Sequence, residues 1–404
     1  MKSFLTMDDA DFFCKRVLVR VDLNVPVQDG EVTDLTRIER IIPTLKELVK
    51  ANAKVVIISH FGRPPFHERG KWEASYSLKF LAPILEKLLG VHVAFASDCI
   101  GPKVAAQVDS LSIGQVILLE NLRFYKEEED NGEAFANELA GSGDIYINDA
   151  FSCSHRAHAS IVGVPRFTKI SMVGRSMQAE LETLERTLTT PERPLVAVIG
   201  GAKISTKLDL LMNLVDKVDS LVIGGAMANT FFAAQGLAVG KSLCEFEMAE
   251  TALNILAKAK ESKCQIILPE DVVVAEKMTP KAVTRVIRKE QVLEADMILD
   301  IGPKTIETLE NVLKAAKTLL WNGPLGVSEM PPFDVGTVNA AKVVARLTHD
   351  GSLVSVAGGG DTLAALAHAG VKDQFSYVST AGGAFLEWLE GKALPGVEAL
   401  IREN

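Results

Sequence analysis

The stretch "VIGGAKISTKLDLL", residues 198–211, ends an apolar run with two glycines and then carries Lys203 and Lys207, four positions apart. This pattern is typical of a strand, a tight turn and a following helix. Taken by itself, the stretch fits two interpretations. The turn and its lysines bind phosphate, or the lysines lie on the solvated face of a helix.

The same alternation of strand and helix recurs along the whole chain. Twelve short β-branched runs predict strands, from "KRVLVRV" (15–21) to "FSYVSTAGG" (375–383). Stretches with helical spacing, such as "RIERIIPTLKELVKAN" (37–52), separate most of them. The runs are apolar on both faces, as buried parallel strands are. We therefore predict an α/β fold with two doubly wound, Rossmann-like lobes of parallel sheet.

The length of 404 residues exceeds what one core supports and favours two domains. The stretch "SMVGRSMQAELETLERTL" (171–188) predicts a helix, and the following "TTPERP" breaks the apolar pattern. A helix of about 17 residues is about 25 Å long, enough for a strut between two halves. We predict a first lobe at 1–170, an interdomain helix and linker at 171–190, and a second lobe at 191–391.

Composition excludes several classes of protein. No apolar run approaches the roughly 18 residues that a membrane span needs, and the N-terminus has acidic residues where a signal peptide is apolar. A net charge of -9 opposes a general nucleic-acid role. The five cysteines lie far apart, which argues against a disulfide framework or a zinc ribbon. We expect a cytoplasmic protein with reduced thiols that binds neither membrane nor nucleic acid.

The first half of this acidic chain places cations and polar groups after its predicted strands. These residues are Asp22, Asn24, Arg37, His60, Arg63, Arg123 and Arg156. Guanidinium groups bind phosphate and carboxylate oxygens bidentately, so several converging arginines favour a site for a small polyanion. Taken singly, each arginine also fits a structural ion pair. Asp22 and Asn24 lie on one side of an extended segment, where they orient a hydroxyl or form a turn before Pro26.

Two other features of this half carry weaker signals. His155 and His158, with the neighbouring Cys153, resemble part of a metal site or a thiol and its base. No third ligand stands at metal spacing, and sequence adjacency alone does not make a catalytic pair. The charge run "KEEED" (126–130) is interpreted as a solvated helix face.

Glycine-rich turns follow the predicted strands of the second half: "IGGAK", "IGGAM", "WNGPLGVSE" and "AGGGDTLAALAHAG". In the last of them, Asp361 and Thr362 can cap a helix that begins at "LAALAHA", and the exposed N–H groups there bind an anion. The stretch "QGLAVGKS" (235–242) lacks the spacing of a Walker A loop, and no strand is followed by G-x-G-x-x-G. The second half therefore predicts a phosphate site of neither common type.

Eight motifs in their order resemble the phosphoglycerate kinase family and cover residues 17 to 397. They are "RVDLNVP", "SHFGRP", "LENLRF", "HRAHAS", "GGAKISTK", "WNGPLGVSE", "GGGDT" and "LEGKALPGV". The resemblance implies reversible phosphoryl transfer from 1,3-bisphosphoglycerate to ADP, with Mg²⁺, giving 3-phosphoglycerate and ATP. It also implies a monomer whose two lobes close on each other, and a C-terminal segment, about 392–404, that returns to the first lobe.

Residue by residue, the resemblance implies two sites. The phosphoglycerate site would contain Asp22, Asn24, Arg37, His60, Gly62, Arg63, Arg123 and Arg156. The nucleotide site would contain Lys203, Lys207, Asn322, Glu329, Gly359, Gly360, Asp361 and Thr362. Asp361 would serve Mg²⁺, directly or through water, and Glu329 the ribose.

The chemistry implied by this resemblance needs no general base. The acceptor in the ATP-consuming direction is a carboxylate, whose pKa near ~3.5 leaves it ionised at neutral pH. The barrier is electrostatic, because two anions must approach each other. We expect Arg37 and Lys203 to neutralise the transferring phosphoryl group and Lys207 to hold nucleotide phosphate.

Three departures from the family pattern and two rival functions remain. Cys153 replaces a small or hydroxyl residue, and Ala381 and Phe385 replace a glycine and a small residue near the nucleotide. The stretch "PPFHERGKWEASYS" (64–77) has unusual spacing and predicts a surface loop. The rivals are a two-lobe nicotinamide-dependent oxidoreductase, whose glycine fingerprint is missing, and a non-catalytic binding protein, against which Arg37, Lys203 and Lys207 argue.

Overall fold

The computed structural model describes residues 4–67 and 69–401. The chain divides into two compact units. The first comprises Met1–Glu182 and Ala393–Asn404, and the second comprises Thr183–Lys392.

The first unit is built on a six-stranded parallel sheet and a small hairpin. Its strands are β1 (Arg16–Val21), β2 (Val27–Gln28), β3 (Glu31–Val32), β4 (Lys54–Ile58), β5 (Val93–Phe95), β6 (Val116–Leu118), β7 (Ile145–Asp149) and β8 (Ser171–Val173). The sheet order is β5-β6-β4-β1-β7-β8, and β2 pairs with β3. Because the chain leaves β1 first toward β4 and later reaches β7 on the other side, the carboxyl ends of these three strands frame a crevice.

Helices cover this sheet and supply the rest of the core. They are α1 (Thr36–Lys50), α2 (Ala82–Leu89), α3 (Pro102–Asp109), α4 (Lys126–Glu129), α5 (Glu133–Ala140) and α6 (Val164–Phe167), and α7 (Arg175–Leu188) begins in this unit and ends in the second. Helix α1 buries Ile38, Ile41, Leu45 and Leu48 at spacings of three and four, so one face packs on the sheet. This packing presents the first turn of α1 at the crevice.

The second unit repeats the architecture and adds a second sheet. Its strands are β9 (Leu195–Ile199), β10 (Ser220–Ile223), β11 (Gln265–Ile267), β12 (Asp271–Ala275), β13 (Arg285–Arg288), β14 (Met297–Ile301), β15 (Thr318–Asn322), β16 (Val354–Gly358) and β17 (Tyr377–Ser379). Six parallel strands run in the order β11-β10-β9-β15-β16-β17, while β13-β12-β14 form an antiparallel sheet. The carboxyl ends of β9 and β15 meet at the point where the strand order reverses.

The helices of the second unit follow its strands, and one short helix lies in the C-terminal part of the first unit. They are α8 (Leu208–Val215), α9 (Met227–Ala234), α10 (Ala249–Glu261), α11 (Pro303–Ala315), α12 (Val335–His349), α13 (Gly360–His368), α14 (Gly383–Leu389) and α15 (Pro395–Glu398). In α15, the N–H of Gly396 donates to the carbonyl of Ser154 at 2.8 Å, and a Cβ at Gly396 would lie 2.6 Å from Ile161. Among the described residues, no helix combines the length and the apolar character of a membrane span.

The predicted fold class is confirmed, and each of the twelve predicted strands overlaps an observed one. Two details differ. The run "MILDIG" forms β14 in the antiparallel sheet and not in a parallel one. The segment 171–188 is not one helix, because Ser171–Val173 forms β8, with Met172 and Val173 buried beside β7, and α7 begins only at Arg175. The edge of β7 offers backbone N–H and C=O groups, and this short apolar run pairs with them as a strand.

Candidate active site

Asp22 lies directly after β1, and three donors hold its carboxylate. Oδ2 accepts from Arg37 Nη1 at 2.6 Å and from the hydroxyl of Ser152 at 2.5 Å, while Oδ1 accepts from the backbone N–H of Asn24 at 3.0 Å. Asp22 is buried, and Arg37, the second residue of α1, is half-buried. The carboxylate therefore closes a turn and also orients a guanidinium at the crevice.

Gly62 joins two more of the predicted residues. Its N–H donates to Asn24 Oδ1 at 2.9 Å, and its carbonyl accepts from Arg123 Nη1 at 2.6 Å. A side chain is excluded here, because φ is +60° and a Cβ would lie 2.8 Å from the ring of Tyr76. The turn after β4 thus positions Arg123 and Asn24 through backbone atoms, a contact that motif spacing does not reveal.

Arg20, which sequence reasoning missed, is a buried cation behind His60. Its Nη2 lies 3.1 Å from His60 Nδ1, and its Nε donates to the hydroxyl of Ser160 at 2.9 Å. A guanidinium only donates, so His60 Nδ1 accepts and the ring proton sits on Nε2. The available signal was the position of Arg20, two residues before Asp22 in an otherwise apolar strand, which puts both side chains on one face.

Two histidines near these arginines, His60 and His158, are neutral. Burial lowers the pKa of His60 well below 6.5, and the charges of Arg20, Arg123 and Arg156 lower it further. Burial and the same three arginines lower the pKa of His158 to about 3. His60 therefore offers an uncharged N–H to an anion, and the arginines supply the positive charge.

Glu128 is linked to the buried Arg20 through the hydroxyl of Ser160. Its carboxylate accepts the N–H of Ser160 at 2.8 Å and the hydroxyl of Ser160 at 2.6 Å, and it is fully buried. The interpretation of 126–130 as a solvated face is therefore wrong for Glu128, although its four neighbours in that run are exposed. A charge run does not show which member turns inward, because that depends on a partner brought from elsewhere in the fold.

Two predicted arginines keep their charge free for a ligand. Within residues 4–67 and 69–401, neither Arg63 nor Arg156 has an ion pair. Arg63 is exposed, and Arg156 Nε donates to the ring of His155 at 3.3 Å. The geometry joins Asp22, Asn24, Arg37, Gly62 and Arg123 in direct contact and leaves Arg63 at the rim.

The thiol and metal alternatives find no support in this cluster. Burial raises the pKa of the Cys153 thiol, so the nucleophilic thiolate is disfavoured. Among the described residues, the one group with metal-ligating geometry is Asp22, His60 and Cys153. The Arg20 guanidinium lies 3.7 Å from the Cys153 sulfur and 3.1 Å from His60, so a cation there meets a buried positive charge.

In the second unit, Lys207 lies at the point where β9 and β15 end. Its Nζ donates to the carbonyl of Gly200 at 2.6 Å and to Asn322 Oδ1 at 2.6 Å. Helix α8 begins at Leu208, so Lys203 lies in the preceding turn and Lys207 occupies the N-cap position, without a capping hydrogen bond from its side chain. The interpretation of the two lysines as one solvated helix face is therefore wrong.

The two lysines differ in environment. Burial lowers the pKa of Lys207 to about 8, and only the Asp361 carboxylate raises it. Lys203 is exposed and, among the described residues, has no ion pair. One lysine is fixed and partly desolvated, whereas the other is free to reach a ligand.

The turn after β16 is fixed by side chains of two neighbouring segments. The carbonyl of Gly358 accepts from Asn322 Nδ2 and from the Thr362 hydroxyl, both at 2.8 Å, and Thr362 Oγ1 accepts the N–H of Gly323 at 2.7 Å. Gly359 has a φ of +97°, and a Cβ there would lie 2.6 Å from Asn322 Nδ2. Helix α13 then begins at Gly360, and the N–H groups of its first turn form a site for an anion.

A cavity of about 820 Å³ opens beside this turn within the second unit. Glu329 and Asp361 line it together with the glycine turn at Gly201, and its walls include Phe232, Met278 and Leu299. Apolar walls with a few convergent polar groups are typical of a small-molecule site. The cavity thus brings together predicted residues that are far apart in the chain. Glu329 lies 128 positions after Gly201, and Asp361 lies 160 positions after it.

Phe385, one of the departures from the family pattern, is buried directly under this turn. It is fully buried in α14, and a Cβ at Gly358 would lie 2.4 Å from its ring. Ala381 is also buried. In the predicted loop at 64–77, Trp72 stacks on Phe124 at 4.8 Å and Arg69 pairs with Asp98 at 2.8 Å, so this loop is packed on the first unit.

Comparison with known proteins gives concordant results. The model of the family "Phosphoglycerate kinase" matches residues 7–392. Phosphoglycerate kinases of Rhizobium meliloti (strain 1021) and Sinorhizobium medicae (strain WSM419) are 57% and 58% identical over 403 residues, covering 100% of each chain. The solved structure of phosphoglycerate kinase from Coxiella burnetii has a TM-score of 0.92 at 43% identity and covers 98% of this chain and 99% of that one. That from Pyrococcus horikoshii OT3 has a TM-score of 0.80 at 32% identity, covering 98% of both chains.

Proposed function

The chain belongs to the phosphoglycerate kinase family, and from this premise we propose how its two clusters share the reaction. The reaction is reversible phosphoryl transfer between 1,3-bisphosphoglycerate and ADP, giving 3-phosphoglycerate and ATP in glycolysis. The first unit binds the phosphoglycerate and the second binds the nucleotide. The rival assignment as a nicotinamide-dependent oxidoreductase is not favoured by any of the relatives.

The observation that carries the first assignment is the excess of cations in the crevice of the first unit. Arg63 and Arg156 have no ion pair among the described residues, whereas Arg123 donates to the carbonyl of Gly62 and pairs with Glu129 at 3.4 Å. A phosphoglycerate carries a phosphate and a carboxylate, so it supplies the anions that Arg63 and Arg156 lack. The neutral His60 adds an N–H donor that stays available at any physiological pH.

The nucleotide assignment rests on the cavity and the turns around it. The apolar walls suit a base, and the Glu329 carboxylate at the rim suits ribose hydroxyls. Lys207 and the first turn of α13 supply positive charge for the phosphates. Asn322 holds Lys207 and the turn at Gly358 together, so it sets the distance between these two phosphate sites.

We place catalysis in electrostatic stabilisation, without a general base. The attacking carboxylate is already ionised, so no proton has to be removed. Arg37 and Lys203 neutralise the oxygens of the transferring group, one cation from each unit. At ~4 Å and an effective dielectric constant of ~20, one such charge pair is worth roughly 4 kcal/mol before desolvation.

The residues around Asp361 fit a magnesium ion that arrives with the nucleotide. Asp361 is an exposed carboxylate in the first turn of α13, on the cavity wall. Among the described residues, no cage of three ligands surrounds it. Mg²⁺ is commonly held by one or two carboxylates together with substrate phosphates and waters. Bound there, Mg²⁺ would neutralise phosphate charge, while Asp361 orients it directly or through water.

Transfer requires the two units to close around the substrates, because the proposed phosphate donor and acceptor sites belong to different units. Small-angle scattering should show a smaller radius of gyration with 3-phosphoglycerate and an ATP analogue together than with either alone. The two single-ligand samples are the controls. An unchanged radius with both ligands would contradict closure.

Nucleotide binding should take up protons near pH 8. The pKa of Lys207 is lowered to about 8, and phosphate anions stabilise the ammonium form, so binding raises this pKa. At pH 8, roughly half of Lys207 is neutral before binding and gains a proton on binding. Calorimetric titration with ADP in two buffers of different ionisation enthalpy measures this uptake.

Lys207→Arg is the matched variant for this titration, because the guanidinium stays charged. It should lose the proton uptake near pH 8 and keep the positive charge. Equal uptake in the wild type and in this variant would show that another group titrates.

Measuring ATP formation from 1,3-bisphosphoglycerate and ADP tests the function as a whole. Activity should depend on added Mg²⁺ and disappear with a chelator, and Asp361→Asn should raise the Mg²⁺ requirement.

We further propose a cytoplasmic monomer that binds no nucleic acid, in keeping with the net charge of -9. A dimer mass by light scattering would contradict the monomer.

A further inference from the structure

Asp300 is a buried carboxylate in the wall of the nucleotide cavity that the proposed mechanism does not use. It lies in β14 and is 2% exposed, and the whole of β14 lines the cavity. The pairing of β12 with β14 shifts here, since Val273 opposes Asp300 and Val274 opposes Ile298. Such a bulge turns a side chain away from regular alternation and is common beside active sites.

The carboxylate of Asp300 holds the first turn of α12. Oδ2 accepts the N–H of Gly336 at 2.6 Å, and Oδ1 accepts the N–H of Ile301 at 2.8 Å. Gly336 is the second residue of α12, and the N-cap residue Asp334 makes no side-chain cap of its own. Asp300, which lies on β14 and not in the helix, therefore caps α12 and accepts an N–H that the helix itself leaves unpaired.

Two glycines make room for this carboxylate. A Cβ at Gly326 would lie 2.2 Å from Asp300 Oδ1, and a Cβ at Gly336 would lie 2.4 Å from the same atom. Neither glycine has a positive φ, so space rather than backbone conformation requires them. Gly326 belongs to the segment 324–329, all of which lines the cavity and which ends at Glu329.

The same helix turn and strand hold that segment in place. The hydroxyl of Thr337, the residue after Gly336, accepts the N–H of Leu325 at 3.0 Å. The N–H of Val327 donates to the carbonyl of Leu299, the residue before Asp300, at 2.9 Å. A displacement of either the α12 turn or the bulge in β14 therefore moves the wall that carries Glu329.

We propose that Asp300 is a positioning residue for the nucleotide, which holds the first turn of α12 and through it the segment 324–329 in the arrangement that receives the nucleoside. This inference rests on the proposed nucleotide site in the cavity. It assigns Asp300 a role in nucleotide affinity and none in the transfer of the phosphoryl group.

The charge of Asp300 changes near neutral pH. Burial raises its pKa to about 7, the N–H groups of Gly336 and Ile301 oppose that rise, and Asp334 adds to it. Charged or titratable groups on the surrounding elements include Asp271 on β12, Lys342, Arg346 and His349 on α12, His368 paired with Asp334 at 2.7 Å, and Glu329 and Asp361 on the cavity wall. The ionised carboxylate accepts the Gly336 N–H more strongly than the neutral form, so the hold on α12 tightens as pH rises through about 7.

Asp300→Asn and Gly336→Ala test the proposal by two routes. The first removes the charge, and the second displaces the carboxylate with a methyl group. Both should raise the KM and the Kd for ADP by about tenfold at pH 8, the scale of one lost charged hydrogen bond. The value of kcat and the KM for 3-phosphoglycerate should stay within about threefold, because the first unit is untouched.

Asp271→Asn is the matched control. Asp271 caps α11 in the same way, through the N–H groups of Lys304 at 3.0 Å and Thr305 at 2.8 Å, but it does not line the cavity. It should lower the melting temperature without changing the KM for ADP. The KM ratio of Asp300→Asn to wild type should grow from about pH 6 to about pH 8, and the ratio for Asp271→Asn should not.

The outcomes separate this inference from the function on which it rests. If the wild type neither binds ADP nor forms ATP, the proposed nucleotide site itself fails. If the wild type binds ADP and both Asp300→Asn and Gly336→Ala bind it equally well, only the positioning role fails. An equal rise in the KM of Asp271→Asn, or variants that do not fold, would likewise assign Asp300 a general structural role and overturn the proposal.

Discussion

Arg37→Ala is expected to lower kcat by roughly 10²-fold or more, the usual cost of removing one preorganised donor from a transition state. Arg37 is half-buried, and its Nη1 is held at 2.6 Å by the Asp22 carboxylate, so its direction is set before substrate arrives. In the proposed mechanism, removing it leaves the oxygens of the transferring group without one neutralising charge. Steady-state kinetics in both directions measures the loss.

Expressed as free energies, the rise in the activation barrier should exceed the loss of folding free energy. The Asp22 carboxylate is buried, but the hydroxyl of Ser152 and the N–H of Asn24 still hold it, so removing Arg37 costs about 1–2 kcal/mol of folding free energy. Lys46→Ala is the matched control, because Lys46 is an exposed cation on the same helix. It should keep normal kcat, and near-normal turnover in Arg37→Ala would remove Arg37 from catalysis.

Lys203→Ala is expected to lower kcat by a comparable factor, roughly 10²-fold or more, with little change in the KM for ADP. Lys203 is exposed and, among the described residues, has no ion pair, so truncation removes a charge without disturbing packing. Lys207 keeps its contacts with Gly200 and Asn322 and, under the proposed assignment, still holds the nucleotide. Rapid-quench measurement of the transfer step locates the defect in the chemistry.

Two further variants sharpen this prediction. Lys260→Ala removes an exposed cation from α10 of the same unit and should leave kcat unchanged. Combining Lys203→Ala with Arg37→Ala should cost less than the product of the single losses, because both cations act on one phosphoryl group. Fully multiplicative losses would indicate that the two cations act on separate steps.

The sequence alone predicted the architecture well, and particular residues show why. The strand runs are apolar on both faces, and only burial in a parallel sheet satisfies that pattern. The short strand β8 was missed, because three residues leading into a helix carry no period of their own. The added sheet of β12, β13 and β14 was also missed as a unit, since its strands contact partners that local pattern does not specify.

The candidate site shows the same division. Arg37, Lys203 and Lys207 were noticeable as cations near predicted strand ends and glycine turns of an acidic chain, but their roles followed only from the resemblance to the family. Arg20, Glu128 and Asp300 could not be assigned from spacing. Each has an ionisable side chain whose hydrogen-bond partner lies on another element. Only the packing of the two elements brings that partner within reach.

By itself, the sequence determined the α/β class, the strand ends that carry the site and, through its ordered motifs, the family. The fold class and the strand ends follow from local periodicity and composition, which each segment carries wherever it folds, whereas the family follows from the resemblance of the ordered motifs. Only the tertiary structure decided the state of the site residues. It showed that His60 is neutral, that Lys207 is partly desolvated while Lys203 is free, and that Asp300 holds α12. The physical reason is that solvation and hydrogen bonding depend on groups far apart in the chain, which come together only when the chain has folded.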